Sequence, residues 1–439
     1  MLRFFKKTKR YKNSEITILD RDPNIKIPSG YHSKLGKDYL KNLSTFDIIV
    51  RSPGIAYTLP QLYRARCNGS SVASATKFFF WQIENNPGRK PKIIGITGTK
   101  GKGTTATILY KILKASGKKV LLAGNIGKPM LDILPQALKA NYIVLEISSF
   151  QLQDLPQSPD VAVVLDIFPD HLDQHKSLRE YYGSKTNIGR WQKKTDAIFY
   201  FSNNPNSKSI ALKSPARKFP VMPQEDNLNK NKDMASAVAH YLKCPESIIE
   251  KTIKNFRGLE HRMELIKTRP YSNVLKKIKI RFINDSAATN PEATAAAIKT
   301  LMQATNDSRL TASQIILIAG GKAKNLDYQP LTQIIKLTPQ VKAVILFGEN
   351  KRKINKQLTA NSLKLKTALV KDLKSAVGLA YKSAKKLINS SRPKRARLAQ
   401  EAATHQCIIL FSPASASYDM FKNYQERGLI FKKLVHSMR

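Results

Sequence analysis

Between Gly98 and Thr105 the chain reads GTKGKGTT, a spacing suited to holding phosphate. Gly98, Gly101 and Gly103 let successive backbone N–H groups curl onto one anion. Lys102 adds a full positive charge for the β- and γ-phosphates of a nucleotide, and a hydroxyl just beyond it can hold Mg²⁺. In the usual G-x-x-x-x-G-K-[ST] pattern that hydroxyl follows the lysine directly. Here Gly103 intervenes, and Thr104 or Thr105 serves. Glu146 closes the run YIVLE and offers a carboxylate for Mg²⁺, directly or through water. Asp170, His171, Asp173 and His175 present oxygen and imidazole donors within six residues. By itself such a cluster reads equally well as a metal site or as a loop of caps and surface groups. Lys185 gains no special standing from spacing, since the chain carries 75 lysines and arginines.

These side chains need elements to aim them. The β-branched run Ile93, Ile94, Ile96 reads as a strand, and Ile108, Leu109, Ile112 and Leu113 fall on one helical face. Strand, phosphate loop and helix thus follow in order, and the helix aims its positive dipole end at the loop. Further strands are expected at 119–123, 142–146, 161–166 and near 197–200, with helices between them and a helix at about 232–253. This is the rhythm of a parallel sheet, whose ligands sit at the carboxyl ends of the strands. Upstream, strands at 16–20 and 47–54 and a helix-strand pair from Gln61 to Ala75 precede the linker ENNPGRKPK at 84–92. Asp20, at a strand end, suits a ribose hydroxyl or a turn. Downstream of the junction KNFRGLEHRME (254–264), strands are expected near 279–284, 315–319, 341–347, 368–370 and 407–411. Asn290 caps a helix that begins at Pro291. The fold expected is α/β with three domains. They are a small Rossmann-like N-terminal domain at 1–88, a central P-loop ATPase domain with a mostly parallel sheet at 89–260, and a Rossmann-like C-terminal domain at 261–439.

Composition bounds the partners. The 439 residues exceed one ordinary core. Lys+Arg 75 against Asp+Glu 31 gives a formal charge of +44, which attracts polyanions nonspecifically and says nothing about fold. The basic residues are spread along the chain, including the run SRPKRARLAQEAATH at 391–405, which has no interleaved aromatics to make it a nucleic-acid patch. Cys67, Cys244 and Cys407 lack pairing or metal spacing and read as buried structural thiols of a reducing compartment. No apolar run approaches the about 20 residues of a membrane span, and MLRFFKKTKRYKN has no signal-peptide core. A cytoplasmic protein without membrane association is expected.

Taken in order, TGTKGKGTT (97–105), GNIG (124–127), LEISSFQL (145–152), DHLDQH (170–175) with SKTN (184–187), GLEHRME (258–264), NDSAATNPEAT (284–294) with GGKAK (320–324), and SPASASYDMFKNYQERG (412–428) resemble the motifs of the Mur ligase family. These are ATP-dependent amide-bond ligases of peptidoglycan precursor synthesis. The resemblance spans nearly the whole chain, and its C-terminal signature is similar to that of the D-glutamate-adding members. It implies a monomer that joins D-glutamate to UDP-N-acetylmuramoyl-L-alanine. ATP would lie on Gly98, Thr99, Lys100, Gly101, Lys102, Gly103, Thr104, Thr105, Arg262 and Asp285. One Mg²⁺ would be held by Thr104 and Glu146, and a second by His171 and Lys185, the latter carried as N6-carboxylysine. Lys102, Glu146, His171 and Lys185 form the implied catalytic set. Asp20, Ser52, Gly54, Asn125 and Ser149 would face the nucleotide-sugar substrate. Thr289, Lys324, Ser417 and Tyr424 would take D-glutamate, with Tyr424 where phenylalanine is expected. GLEHRME would be the hinge for domain closure.

Three departures stand out. The family begins with a strand and glycine-rich turn that seats the uridine diphosphate. This chain starts after that point, so either its start is truncated or its first domain is incomplete. EDNLNKNKD (225–233) replaces a glycine-x-His-Asn run near the adenine, where Asn227 or Asn231 can substitute, and Ala287 stands where some relatives carry lysine. Two other readings compete. A folylpolyglutamate synthase-like ligase shares the G-K-G-[ST] loop but lacks the SPASAS signature and the first domain. A non-catalytic polyanion binder on a decayed ligase scaffold fits the charge, but not the intact Lys102, Glu146, His171, Lys185 and Lys324.

Overall fold

The computed structural model describes residues 1–8, 11, 13–52, 54–169, 175, 177–223, 227–270, 279–304, 314–322, 326–360, 365–390 and 406–438. They form two compact units, Met1–Phe256 and Arg257–Arg439. Asp170, His171, Asp173, Lys324 and the basic run 391–405, all singled out in the sequence, lie outside the described residues.

In the first unit, β1 (Thr17–Asp20) pairs in parallel with β2 (His32–Leu35), and β3 (Ile48–Arg51) with β4 (Ser71–Ser74). These are two separate two-stranded ladders rather than one small sheet. Leu62 and Ala65 of the helix Pro60–Cys67 pack with Leu43, Ile49 and Val72 to close the second ladder. A short helix, Leu2–Lys7, opens the chain with no signal in the sequence. Six residues carry too little periodicity to announce it, and it is held by the rings of Phe4 and Phe5 against Tyr11 and Phe78.

Six strands follow: β5 (Lys92–Thr97), β6 (Val120–Gly124), β7 (Tyr142–Glu146), β8 (Val161–Val164), β9 (Ala197–Phe201) and β10 (Arg217–Val221). All neighbours are parallel, in the order β10-β9-β8-β5-β7-β6. The innermost strands are buried on both faces, which is why they read as continuous apolar runs. Burying each such Ile or Val stabilises the sheet by ~1.5–3 kcal/mol. The sequence of β10, RKFPV, carries no strand signal, since it is charged and contains Pro220, which only an edge strand tolerates. The single helix expected at 232–253 is two, Asn227–Tyr241 and Glu246–Asn255. Lys243 turns left-handed between them and Pro245 restarts the chain.

The second unit holds β11 (Glu264–Pro270), β12 (Lys279–Asn284), β13 (Gln314–Gly320), β14 (Val341–Phe347), β15 (Lys366–Leu369) and β16 (Gln406–Phe411). Their order is β11-β12-β16-β13-β14-β15, with only β11 antiparallel. Apolar clusters cover both faces, one around Phe282, Phe347 and Phe411, the other around Leu317, Tyr328 and Leu346. Asn290 caps the helix Pro291–Ala304 by accepting from the Ala293 amide at 2.8 Å, as its position suggested. The architecture is therefore α/β with parallel sheets, as expected.

All three thiols are free. Cys244 and Cys407 are buried, and burial pushes the Cys407 thiol up to about 12. Cys67 corrects the expectation of three buried thiols. It ends the helix Pro60–Cys67 on the solvent side and is exposed. No helix of the described residues is long and apolar enough to cross a membrane.

Candidate active site

The glycine-rich stretch joins β5 to the helix Lys102–Ala115, so Lys102 opens the helix and Gly101 is its N-cap. Gly101 has φ +83, and a Cβ there would lie 2.1 Å from Asn231 Oδ1. Only glycine fits that conformation and that approach. Asn231 also accepts from the buried Thr105 hydroxyl at 3.0 Å. It therefore braces the loop from the helix Asn227–Tyr241. Thr105 is committed to this contact, while Thr104 is half-buried on the same first turn.

Two cations meet on the loop. Lys102 Nζ donates to the carbonyls of Gly98 and Thr99, both at 3.0 Å. Lys185 Nζ, on the helix Leu178–Arg190, donates to the same Gly98 carbonyl at 3.0 Å and lies 4.8 Å from the centre of the Tyr181 ring. Lys185 is only 2% exposed, which nothing in its sequence spacing announced. Tyr181, not singled out in the sequence, is buried below it. Its hydroxyl lies 2.9 Å from Thr99 Oγ1. The available signal was its position four residues before Lys185, on one helical face. The Thr99 amide donates to the Asp166 carbonyl at 2.8 Å and the Phe168 amide to Thr99 Oγ1 at 2.9 Å, which fixes the loop against the end of β8.

Glu146 ends β7, which pairs with β5 so that Ile96 faces Glu146. The carboxylate thus emerges beside the phosphate loop, 6% exposed. The GNIG segment is strapped to it. The Asn125 amide donates to the Glu146 carbonyl at 3.0 Å, and Asn125 Nδ2 lies 3.4 Å from Oε1. Gly124 has φ +106, and a Cβ there would fall 2.2 Å from the Glu146 carbonyl oxygen. The fold therefore gathers Lys102, Thr104, Glu146, Asn125 and Lys185 at the carboxyl end of one parallel sheet. Thr104 and Glu146 are hard oxygen donors of the kind Mg²⁺ takes. An amine nitrogen such as Lys185 is not. Among the described residues no three His, Cys, Asp or Glu side chains group as a metal site.

The other expected substrate contacts sit differently. Ser149 is buried, and its hydroxyl lies 3.0 Å from His175 Nε2, under the stacked rings of Phe150 and His175. Asp20 accepts from the Asp22 amide at 2.8 Å, forming the turn that its position allowed. Ser52 and Gly54 are exposed.

In the second unit, the loops after β12, β13, β14 and β16 crowd at the carboxyl end of that sheet. Asp285 accepts from the Ser412 hydroxyl at 2.8 Å and the Met263 amide at 3.3 Å. Burial pushes its carboxyl up to about 6, against the pull of Ser412, Met263 and the Arg262 charge. An acid whose folded pKa exceeds its unfolded value of about 3.9 stabilises the fold at low pH, and that contribution fades as pH rises through about 6. Asp285→Asn, which stays neutral, should therefore gain on the wild type by ~2–3 kcal/mol between pH 4 and 7 in paired denaturant melts. A difference that stays level with pH would contradict the burial argument.

Arg427, fully buried, binds the Ser286 carbonyl and hydroxyl and the Ser415 carbonyl at 2.9, 3.1 and 2.9 Å. It ties together the loops holding Asp285 and Ser417. Ser417 is buried, Thr289 and Arg262 are exposed, and Tyr424 opens the helix Tyr424–Ser437 half-buried. His261 is held left-handed beside Asn284, whose Nδ2 lies 2.9 Å from Nδ1, and burial lowers its pKa.

A strand-loop-helix phosphate cradle followed by a second, mostly parallel α/β unit defines a nucleotide-binding architecture, and the comparisons place it among ligases. The chain matches the Mur ligase middle domain over residues 96–279 and the Mur ligase glutamate ligase domain over 261–388. It belongs to the Mur ligase family. It is 32% identical to a UDP-N-acetylmuramoylalanine--D-glutamate ligase of Acetivibrio thermocellus, with 97% of this chain and 92% of the relative covered. The relative of the same name from Ruminiclostridium cellulolyticum is also 32% identical, with the same coverage. Among solved structures, the fold is similar to the UDP-N-acetylmuramate-alanine ligase MurC of Thermotoga maritima (TM-score 0.51, 16% identity, 90% of this chain and 86% of that one). It is also similar to E. coli FolC (TM-score 0.54, 14% identity, 82% and 92%).

Proposed function

We propose that this protein adds D-glutamate to UDP-N-acetylmuramoyl-L-alanine, using ATP, in peptidoglycan precursor synthesis. The observation that carries the reading is the convergence of Lys102 and Lys185 on the Gly98 carbonyl, with Glu146 rising from the neighbouring strand. It is the layout a phosphoryl-transfer site requires, with cations and a metal carboxylate around one phosphate loop. Near-full-length relatives with the D-glutamate ligase name support the amino-acid choice over a folate substrate.

Lys102 and the amides of residues 98–105 hold the ATP phosphates. The substrate's alanyl carboxylate attacks the γ-phosphate, the bond from the γ-phosphorus to the β,γ-bridging oxygen breaks, and ADP leaves as an acyl phosphate forms. Both partners are anionic, so offsetting charge and excluding water do most of the work. Thr104 and Glu146 are the residues that would hold a first Mg²⁺, and His171 with a carboxylated Lys185 a second. Such ions would supply charge neutralisation on the phosphoryl oxygens. The D-glutamate amine then attacks the acyl carbon, phosphate leaves through a tetrahedral intermediate, and an amide remains. Thr289, Lys324, Ser417 and Tyr424 fall to the D-glutamate carboxylates, Arg262 and Asp285 to the nucleotide, and Asn125, Ser149, Asp20, Ser52 and Gly54 to the muramoyl substrate. We assign residues 1–88, 89–260 and 261–439 to substrate, ATP and amino-acid binding. We further infer a cytoplasmic monomer whose positive charge binds nucleic acid only nonspecifically.

The test is phosphate release from ATP and Mg²⁺ by purified protein. Release that requires both UDP-N-acetylmuramoyl-L-alanine and D-glutamate is expected. Release with a folate substrate instead, or none beside tight RNA binding at moderate salt, would overturn the reading.

A further inference from the structure

A buried ion pair inside the first unit has no place in the chemistry above. Arg51 and Asp154 have side chains 1% exposed, with Arg51 Nη2 2.5 Å from Asp154 Oδ1 and Nε 3.4 Å from Oδ2. The guanidinium makes two more bonds. Nη1 donates to the Ile55 carbonyl at 3.0 Å, and Nη2 to the Phe150 carbonyl at 2.8 Å. Its Cζ lies 5.6 Å from the Tyr57 ring centre, and the Tyr57 amide donates to Gln153 Oε1 at 3.2 Å.

The position of each partner gives the pair meaning. Arg51 is the last residue of β3 and directly precedes Ser52 and Gly54. The Ile55 amide closes their turn on the Ser52 carbonyl at 3.0 Å. Phe150 and Asp154 belong to the segment that leaves Glu146, where Ser148 and Gln151 form a capping box on the short helix Ser149–Leu152. One guanidinium therefore grips the exposed turn with one nitrogen and the Glu146 segment with the others. Lysine could not do this, since it lacks the planar fork that serves a carboxylate and two carbonyls at once. A buried ion pair is also a poor way to gain stability, because well-packed apolar residues serve as well or better. What it supplies is direction.

Building on the ligase reading, we propose that Arg51 and Asp154 are positioning residues for the nucleotide-sugar substrate. They set the 52–55 turn at a fixed distance from Glu146, so that the substrate's carboxylate arrives where phosphoryl transfer occurs. Neither touches the reacting atoms.

Steady-state kinetics and calorimetric binding on full-length Arg51→Lys, Arg51→Met and Asp154→Asn test this, with each substrate varied in turn. A misplaced turn should raise KM and Kd for UDP-N-acetylmuramoyl-L-alanine by about tenfold or more in Arg51→Met and Asp154→Asn. KM for ATP and for D-glutamate should stay within about twofold, since no contact of the pair reaches those residues. Arg51→Lys should fall between them and the wild type. Unchanged constants, equal change in all three KM values, or a fall in kcat alone would overturn the proposal. If the single variants do not fold, Arg51→Met/Asp154→Leu leaves no unpaired buried charge. It should fold and still bind the muramoyl substrate weakly, and wild-type affinity there would count against the proposal. An active wild type with unaltered variants sinks this inference alone. A wild type that neither binds nor turns over the substrate sinks the ligase reading and the inference with it.

Discussion

Lys102→Met is expected to abolish ligation, with phosphate release falling by at least about 10³-fold while the fold survives. The lysine opens the helix Lys102–Ala115, and its ammonium rests on the Gly98 and Thr99 carbonyls of its own loop. A nucleotide's phosphate oxygens are stronger partners for that charge than two neutral carbonyls. Methionine keeps the stem and the helix propensity but offers no cation where negative charge builds. Stability should change little, because Lys102 is half-exposed and water can replace it on the carbonyls. Phosphate release with both co-substrates, beside a thermal melt, separates these effects. Ordinary turnover by a folded Lys102→Met protein would remove the phosphate loop from the mechanism.

The second large effect belongs to Lys185. As an ammonium it shares the Gly98 carbonyl with Lys102, and two like charges at one oxygen repel inside a site of reduced dielectric. Loss of a proton from that ammonium, then reaction of the free amine with CO₂ with release of a second proton, would give a carbamate and replace that repulsion with attraction. It would leave one N–H to keep the bond to Gly98 and add two oxygens suited to Mg²⁺. Lys185→Ala should therefore lose ~10²–10⁴-fold in activity. Millimolar acetate, which restores carboxylate oxygens to the vacated space, should recover part of it, and methylamine should not. The reverse result would make Lys185 a simple cation. The alanine variant also leaves a gap over Tyr181, so a melt should show a loss of ~1–3 kcal/mol unrelated to the rescue.

How much of this was legible in the residues alone varies with the range of the force involved. The strand, loop and helix around Lys102 were readable because each is set by neighbours in sequence. β-branched residues favour the strand, glycines permit the turn, and a 3.6-residue apolar period marks the helix. The same holds for the inner strands of both sheets and for the Asn290 cap. Near-continuous apolar runs and a cap followed by proline are local statements. The motif order, which pointed to the family, is a property of the chain itself.

Other features depended on contacts distant in sequence, and only the tertiary structure decided them. β2 and β10 are polar or proline-bearing stretches that become strands because a neighbour's backbone is there to pair with. The helix Leu2–Lys7 exists where Phe78 receives its rings. Lys185 was one lysine among many until the helix Leu178–Arg190 packed it, 87 positions from Gly98, onto that carbonyl. Arg51 and Asp154 are 103 residues apart and meet only in the fold. Asn231 likewise reaches the phosphate loop only through the packing of its helix. Short-range preference set out the elements; which side chains share a site was settled by burial, because an ammonium or guanidinium removed from water must find its partners wherever the packed chain brings them.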